Sequence, residues 1–186
     1  MRLFIALDIP AEVRERLSQY VERVRIYAPD ARWARTESLH VTLKFIGEVS
    51  DAKAQEIKTS LQQVKAKPFE IDFKEIGFFP TPKSARVFWA GVHASEALRE
   101  LASAIEASVE KAGIPREKRA YHPHLTLARA PEAGASRHCF RLLQERLGGE
   151  PLPQFGTMTA REFFLYQSQI MRGGARYTKL QRFPFE

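Results

Sequence analysis

Apolar and polar positions along this chain recur with periods that predict most of its elements. Leu3, Ile5 and Leu7 interleave with Phe4 and Ala6, the pattern of a short buried strand. Pro10 suits a first helical turn, and Val13, Leu17, Val21 and Val24 follow at helical spacing until Pro29-Asp30 breaks the run. His40 to Ile46 reads as a strand closed by Gly47. Ser50 stands as the N-cap of a helix carrying Ala54, Ile57, Leu61 and Val64. Phe69, Ile71 and Phe73 alternate with Glu70, Asp72 and Lys74, a half-exposed strand. Beyond the Pro80-Thr81-Pro82 turn come a strand from Arg86 to Val92 and a helix capped by Ser95. That helix carries Leu98, Leu101, Ile105 and Val109 and ends at Gly113. His124 to Arg129 is again a strand, and Ser136 to Leu147 a helix. Thr157 to Gln167 and Arg176 to Arg182 read as strands about a Gly173-Gly174 turn.

Strand and helix alternate, yet many strands are amphipathic, which favours antiparallel sheets with outer helices, an α+β fold. No linker or low-complexity segment interrupts residues 1–186, so one domain built from two pseudo-symmetric lobes is expected. Composition agrees: 44% apolar and 27% charged residues exclude a disordered or collagen-like chain. The longest apolar runs, such as Val87 to Val92, fall far short of the roughly 18 residues of a membrane span. The opening Leu3–Leu7 run is too short for a signal-peptide core, and Cys139 is the only cysteine; a cytoplasmic protein is the simplest reading. A monomer is the default. The net charge is +7, spread evenly over both halves, which favours polyanionic partners.

The informative feature is an internal repeat. His40-Val41-Thr42-Leu43 recurs as His124-Leu125-Thr126-Leu127, each copy on an expected strand. Residues i and i+2 of a strand project from one face, about 6.6 Å apart. Each copy therefore offers an imidazole and a hydroxyl on one face and anchors the other face with aliphatics. Two such strands across a groove suit a phosphodiester. A neutral imidazole takes a proton from water, a protonated one gives a proton to the leaving oxygen, and hydroxyls bind the non-bridging oxygens. No metal or other cofactor is required.

The motifs, read as His40-Val41-Thr42-Leu43-Lys44-Phe45-Ile46-Gly47 and His122-Pro123-His124-Leu125-Thr126-Leu127-Ala128-Arg129, resemble those of the 2H phosphoesterase superfamily. The chain is most similar to its RNA 2′,3′-cyclic phosphodiesterase branch, also called 2′-5′ RNA ligase-like. The opening Arg2-Leu3-Phe4-Ile5-Ala6-Leu7, Trp33 and the late Leu165-Tyr166-Gln167-Ser168 fit as well. This resemblance implies a bilobal duplicated fold, two antiparallel sheets about a central groove. It implies His40 as general acid, His124 as general base, and Thr42 and Thr126 as phosphate ligands. Arg129 would bind phosphate and Phe45 would stack on the terminal base. The implied reaction is hydrolysis of RNA 2′,3′-cyclic phosphate ends, tRNA fragments among them, to 2′-phosphomonoesters, with 2′-5′ ligation as its reverse. The alternatives are another cyclic or 2′-5′-linked nucleotide substrate, or a non-catalytic RNA-binding module.

One point conflicts with regular strand geometry. Phe45 and Arg129 each lie five residues after their histidine, an offset that faces the opposite way, unless the strand ends or bulges first or these residues act from the rim. The remaining candidates are weaker. His122-x-His124 has a metal-ligand spacing, but hydroxyls are poor zinc partners. No Gly-x-Ser-x-Gly turn exists. Cys139 reads as a partly buried thiol, His93 as structural, and Tyr177 and Trp33 as core. The basic stretches Arg116–Arg119 and Arg172–Arg176 read equally as RNA guides or as solvated loops.

Overall fold

The computed structural model describes residues 1–132 and 138–186. Nine strands and four helices are found among them: β1 (Arg2–Leu7), α1 (Ala11–Val24), β2 (Arg32–Trp33), β3 (Val41–Glu48), α2 (Asp51–Leu61), β4 (Phe69–Phe79), β5 (Val87–Ala94), α3 (Glu96–Lys111), β6 (His124–Arg129), α4 (Arg141–Leu147), β7 (Gln154–Ala160), β8 (Glu162–Met171) and β9 (Gly174–Pro184). The start of the last helix expected at Ser136 lies outside the described residues.

The caps behave as the sequence leads one to expect. Ser50 Oγ accepts from the Lys53 amide and Ser95 Oγ from the Ala97 amide, each meeting one of the orphan donors of a first helical turn. Val13, Leu17, Val21 and Val24 form the buried stripe of α1. Gly113, just past α3, holds φ +84, the left-handed conformation that ends a helix most readily at glycine.

All strand pairs are antiparallel. One sheet runs β3-β1-β8-β9 and the other β2-β6-β5-β4-β7. The sheets are not the two halves of the chain. β2 leaves the N-terminal half to pair with β6, and the C-terminal β8 and β9 complete the sheet of the first motif. The strand expected over Thr157–Gln167 is in fact two. β7 pairs with β4 and β8 with β1, and the chain changes sheet at Arg161. Hydrophobic periodicity reports which positions are buried, and it carries no record of which sheet each strand joins.

Leu3, Ile5 and Leu7 point to one side of β1 and enter an apolar cluster that also holds Ile71, Phe73 and Phe88 of the other sheet. The helices add Leu17, Ile57 and Ile105 to it. Phe4, Ala6, Phe164 and Tyr166 face the other way and form a second, separate cluster. This second face is the one that carries the histidine motif.

Candidate active site

β3 lies at the edge of its sheet, and β6 is covered by β2 only at Ala128 and Arg129. The leading ends of both motif strands are therefore free to meet, and β3 and β6 are in contact. Tyr121, just before the second motif, donates its hydroxyl to the carbonyl of Thr42 in the first, at 2.9 Å. Its own carbonyl accepts from Arg99 at 2.7 Å. A cavity of about 330 Å³ opens at this junction, with Thr42, Phe45, Tyr121, His122 and His124 in its wall.

Both motif strands bulge at the same place. Thr42 pairs with Ala6 and Lys44 with Ile5, so Leu43 has no opposite residue. Thr126 pairs with Trp89 and Ala128 with Phe88, so Leu127 has none either. Each strand thus buries two consecutive side chains, Leu43-Lys44 and Leu127-Ala128, and its alternation is reset by one. Phe45 and Arg129 consequently return to the face of Thr42 and Thr126. Phe45 is 71% exposed with its ring 6.2 Å from Phe4, and Arg129 lies close enough to act electrostatically on His124. The bulge resolves the conflict in the offset of five.

His40 sits one residue before β3, not within it. Its ring stacks on Phe4 at 4.7 Å and 24°, with Tyr166 at 5.8 Å and Tyr177 edge-on at 5.3 Å. Phe4 and Tyr166 are themselves stacked at 5.0 Å. Tyr177, expected in the core, is instead part of the groove wall, because β9 presents it on the face of Phe4. Trp33 does pack against the core, donating Nε1 to the Ala28 carbonyl at 3.0 Å. The approach to His40 is fixed from α1. Arg14 donates to the carbonyls of Thr36 at 2.6 Å and Leu39 at 3.0 Å and pairs with Asp8 at 3.1 Å.

His124 is held differently. Its Nδ1 lies 2.8 Å from the carbonyl of His122, which only accepts, so Nδ1 carries the proton and Nε2 is the open nitrogen. Phe79 meets the ring edge-on at 5.1 Å. His40 has a matching backbone bond with Ser38, also two residues earlier. Neither Thr42 nor Thr126 has a side-chain hydrogen bond among the described residues, which leaves both hydroxyls free to donate to a ligand.

Burial lowers both imidazoles. His40 is pushed down to about 4, chiefly by desolvation and further by Arg14, against the Ser38 bond and Asp8. His124 is lowered by burial, Arg129 and His122, against its own backbone bond. For His40 this has a consequence for stability. Above pH 6.5 the residue is neutral in folded and unfolded chains alike and contributes nothing. As pH falls from 6.5 towards 4 the unfolded chain takes up the proton first, so stability falls through that window. The expected loss is on the order of 2 kcal/mol after allowance for the ring's partial exposure. Urea unfolding between pH 7 and pH 4 measures it. The His40→Asn variant should show a flatter dependence, and equal dependences would show that the ring is not withheld from water.

The remaining candidates divide between the cavity and the rest of the surface. Arg116 and Arg119 both line the cavity, and Arg116 is paired there with Glu110 at 2.7 Å. His93 contacts Glu75 at 3.2 Å. Cys139 is a half-buried free thiol whose pKa burial raises, which disfavours the thiolate. Among the described residues no three His, Cys, Asp or Glu side chains group to hold a metal ion, and no helix is long and apolar enough to cross a membrane.

The profile of the LigT like Phosphoesterase family matches twice, over residues 7–89 and 92–177, one motif in each. The chain belongs to this family. An RNA 2′,3′-cyclic phosphodiesterase of Archaeoglobus fulgidus is 32% identical over 183 residues, covering 98% of this chain and 99% of its own length. The Escherichia coli protein of the same name is 30% identical over 97% of this chain and 94% of its own. The crystal structure of E. coli LigT complexed with 3′-AMP superimposes with a TM-score of 0.80, covering 99% of this chain and 97% of that one. The α+β fold expected of the 2H phosphoesterases is thus the observed one.

Phe4 and Tyr166 lie in segments that fit the family, but the motif reading gives them no role, nor does it place Phe79 and Tyr177 beside the imidazoles, Arg14 behind His40 or Tyr121 across the seam. Alternation along the first strand does carry a signal for Phe4, since it sets Phe4 and Ala6 apart from the core-facing Leu3, Ile5 and Leu7. Nothing local marks Arg14 or Tyr121, whose partners are distant in sequence.

Proposed function

We propose that this protein hydrolyses RNA 2′,3′-cyclic phosphate ends to 2′-phosphomonoesters, using its two histidines as an acid–base pair. The observation that supports this most is the duplicated His-x-Thr-bulge unit, which gives each of two contacting strands an imidazole and an unengaged hydroxyl, with Thr42 and His124 in the wall of one cavity. Relatives over nearly the whole length carry the name of this activity.

In this reading Nε2 of His124 takes a proton from water as the water oxygen attacks phosphorus. The bond from phosphorus to the 3′ oxygen breaks, and His40 gives that oxygen its proton. Thr42, Thr126 and the Arg129 guanidinium hold the non-bridging oxygens as charge builds on them. Exposed Phe45 stacks on the terminal base. His40 resists protonation in the free protein, so its role as acid relies on the diester's negative charge raising its pKa on binding. Run backwards, the same two proton transfers close a 2′-phosphate onto the 3′ oxygen with release of water; with a 5′-hydroxyl in place of water, the forward attack breaks the bond to the 3′ oxygen and leaves a 2′-5′ link. The chain acts as one domain and one monomer, in the cytoplasm.

The test is incubation with a short RNA ending in a 2′,3′-cyclic phosphate, in excess chelator, with separation of 2′- from 3′-phosphate products. A 2′-phosphate product formed in chelator is the expected result. A 3′-phosphate would move the scissile bond and overturn the proton assignment, and a chelator-sensitive reaction would overturn the two-histidine mechanism.

A further inference from the structure

Resting on that reading, we infer that the tip of the β8–β9 hairpin and the segment 35–38 form a binding surface for the RNA strand that precedes the cyclic end. β1 pairs with β8 only as far as Ser168, whereas β8 and β9 stay paired out to Met171 and Gly174. The last rungs therefore project past the sheet as a two-stranded ribbon. Its turn needs positive φ at Gly173 (+98) and Gly174 (+130), conformations that a side chain strains. The ribbon is anchored, since Arg35 donates to the Gly173 carbonyl at 2.5 Å. The segment that carries Arg35 leads directly into His40, and Tyr177 of the ribbon's base lies edge-on to the His40 ring. The ribbon is thus a wall of the groove on the His40 side.

Between ribbon and segment lies a cavity of about 380 Å³ whose lining includes Arg35, Glu37, Met171, Arg172, Arg176 and Tyr177. The guanidiniums of Arg172 and Arg176 have no ion pair or hydrogen bond among the described residues, and that of Arg35 has only its bond to Gly173. Three guanidiniums thus stand against one carboxylate. Met171, 51% exposed, lines the cavity with them, and Ile170, 79% exposed, stands on the same ribbon tip outside that lining. On β8, Ile170 lies two and four residues beyond Ser168 and Tyr166, so it extends the face of the groove. Unpaired cations next to apolar and aromatic surface match what a single RNA strand offers, a line of phosphates with bases that stack. A nucleoside 2′,3′-cyclic phosphate carries no phosphate besides the reacting one. An oligonucleotide carries one more at each step in the 5′ direction, and these are the groups that the arginines fit. The surface therefore selects polynucleotide over mononucleotide substrates.

The experiment compares the wild type with the Arg172→Gln/Arg176→Gln variant on two substrates, cytidine 2′,3′-cyclic phosphate and a tetranucleotide with the same end. It also measures, by fluorescence anisotropy against salt, the binding of a tetranucleotide that ends in a 2′-phosphate. The variant should lower the ratio of oligonucleotide to mononucleotide kcat/KM by about ten- to a hundredfold. Its slope of log Kd against log salt should be smaller by roughly 1.4, about 0.7 for each lost phosphate contact. An unchanged ratio and slope would overturn the proposal, as would equal losses on both substrates in a variant that melts like the wild type. If the wild type turns over neither substrate, the proposed function fails, and the anisotropy measurement still decides whether this surface binds RNA.

Discussion

His40→Ala and His124→Ala should each lower kcat on a cyclic-phosphate RNA by about 10²- to 10⁴-fold, the usual contribution of a positioned acid or base. The double variant should be little worse than the poorer single one, because two groups that act in one transition state fail together. KM should move far less, since the hydroxyls, Arg129 and Phe45 remain. The two roles are separable by leaving group. A nitrophenyl phosphodiester expels a weakly basic oxygen that needs no proton. On it the acid-deficient His40 variant should recover most of its deficit, while the base-deficient His124 variant should not. The opposite pattern would exchange the two roles, and near-normal turnover by either alanine variant on the RNA would end the acid–base reading altogether.

The largest effect on stability is expected at a residue outside the motifs. Lys44 follows the bulge of β3 with its side chain 5% exposed, and its ammonium is 2.8 Å from Glu106 of α3 and 2.9 Å from the Pro115 carbonyl. Glu106 also accepts from the Glu117 amide. Glu106→Ala leaves a buried cation facing one carbonyl, a change that costs about 3–5 kcal/mol in comparable pairs. Lys44→Met with Glu106→Leu removes both charges and refills the volume, and should lie within about 1–2 kcal/mol of the wild type. Urea unfolding of the three proteins measures this. A Glu106→Ala loss under about 1 kcal/mol would show that water reaches Lys44. The pair also ties the strand between Thr42 and Phe45 to the segment that leads to Tyr121, so the weakened variant should bind product less tightly as well.

The sequence carried the four residues of the double motif in full, because side-chain type and a spacing of two are enough to define them. It carried α2 and α3 with their serine caps and β6 to the residue, whereas Pro10 precedes the first turn of α1 as its N-cap and Val64 lies beyond the end of α2 at Leu61. The losses have physical causes. β2 pairs only two residues, Arg32 and Trp33, too few for any periodicity. β4 continues past Phe73 to Phe79 across an irregular stretch at Lys74 and Glu75, where Glu75 holds φ +70 and the alternation breaks. The bulges at Leu43 and Leu127 are visible only as two adjacent apolar or buried positions, which in isolation read as the end of a strand. Their repetition in both motifs is what the offset of Phe45 and Arg129 encoded. Tyr177 looked like a core residue because a half-buried aromatic on a strand has the same pattern whether its face meets a core or a groove.

The exchange of strands between the two sheets has a consequence for biosynthesis. Both histidines are translated by residue 124, but the rings that bracket His40 from β8 and β9, Tyr166 and Tyr177, are among the last residues made. A ribosome-bound chain stopped before Phe164 has both motif imidazoles and both threonines, but two of the three rings around the first imidazole are still missing. The surroundings of His40 are thus complete only once the closing hairpin has emerged and docked along β1.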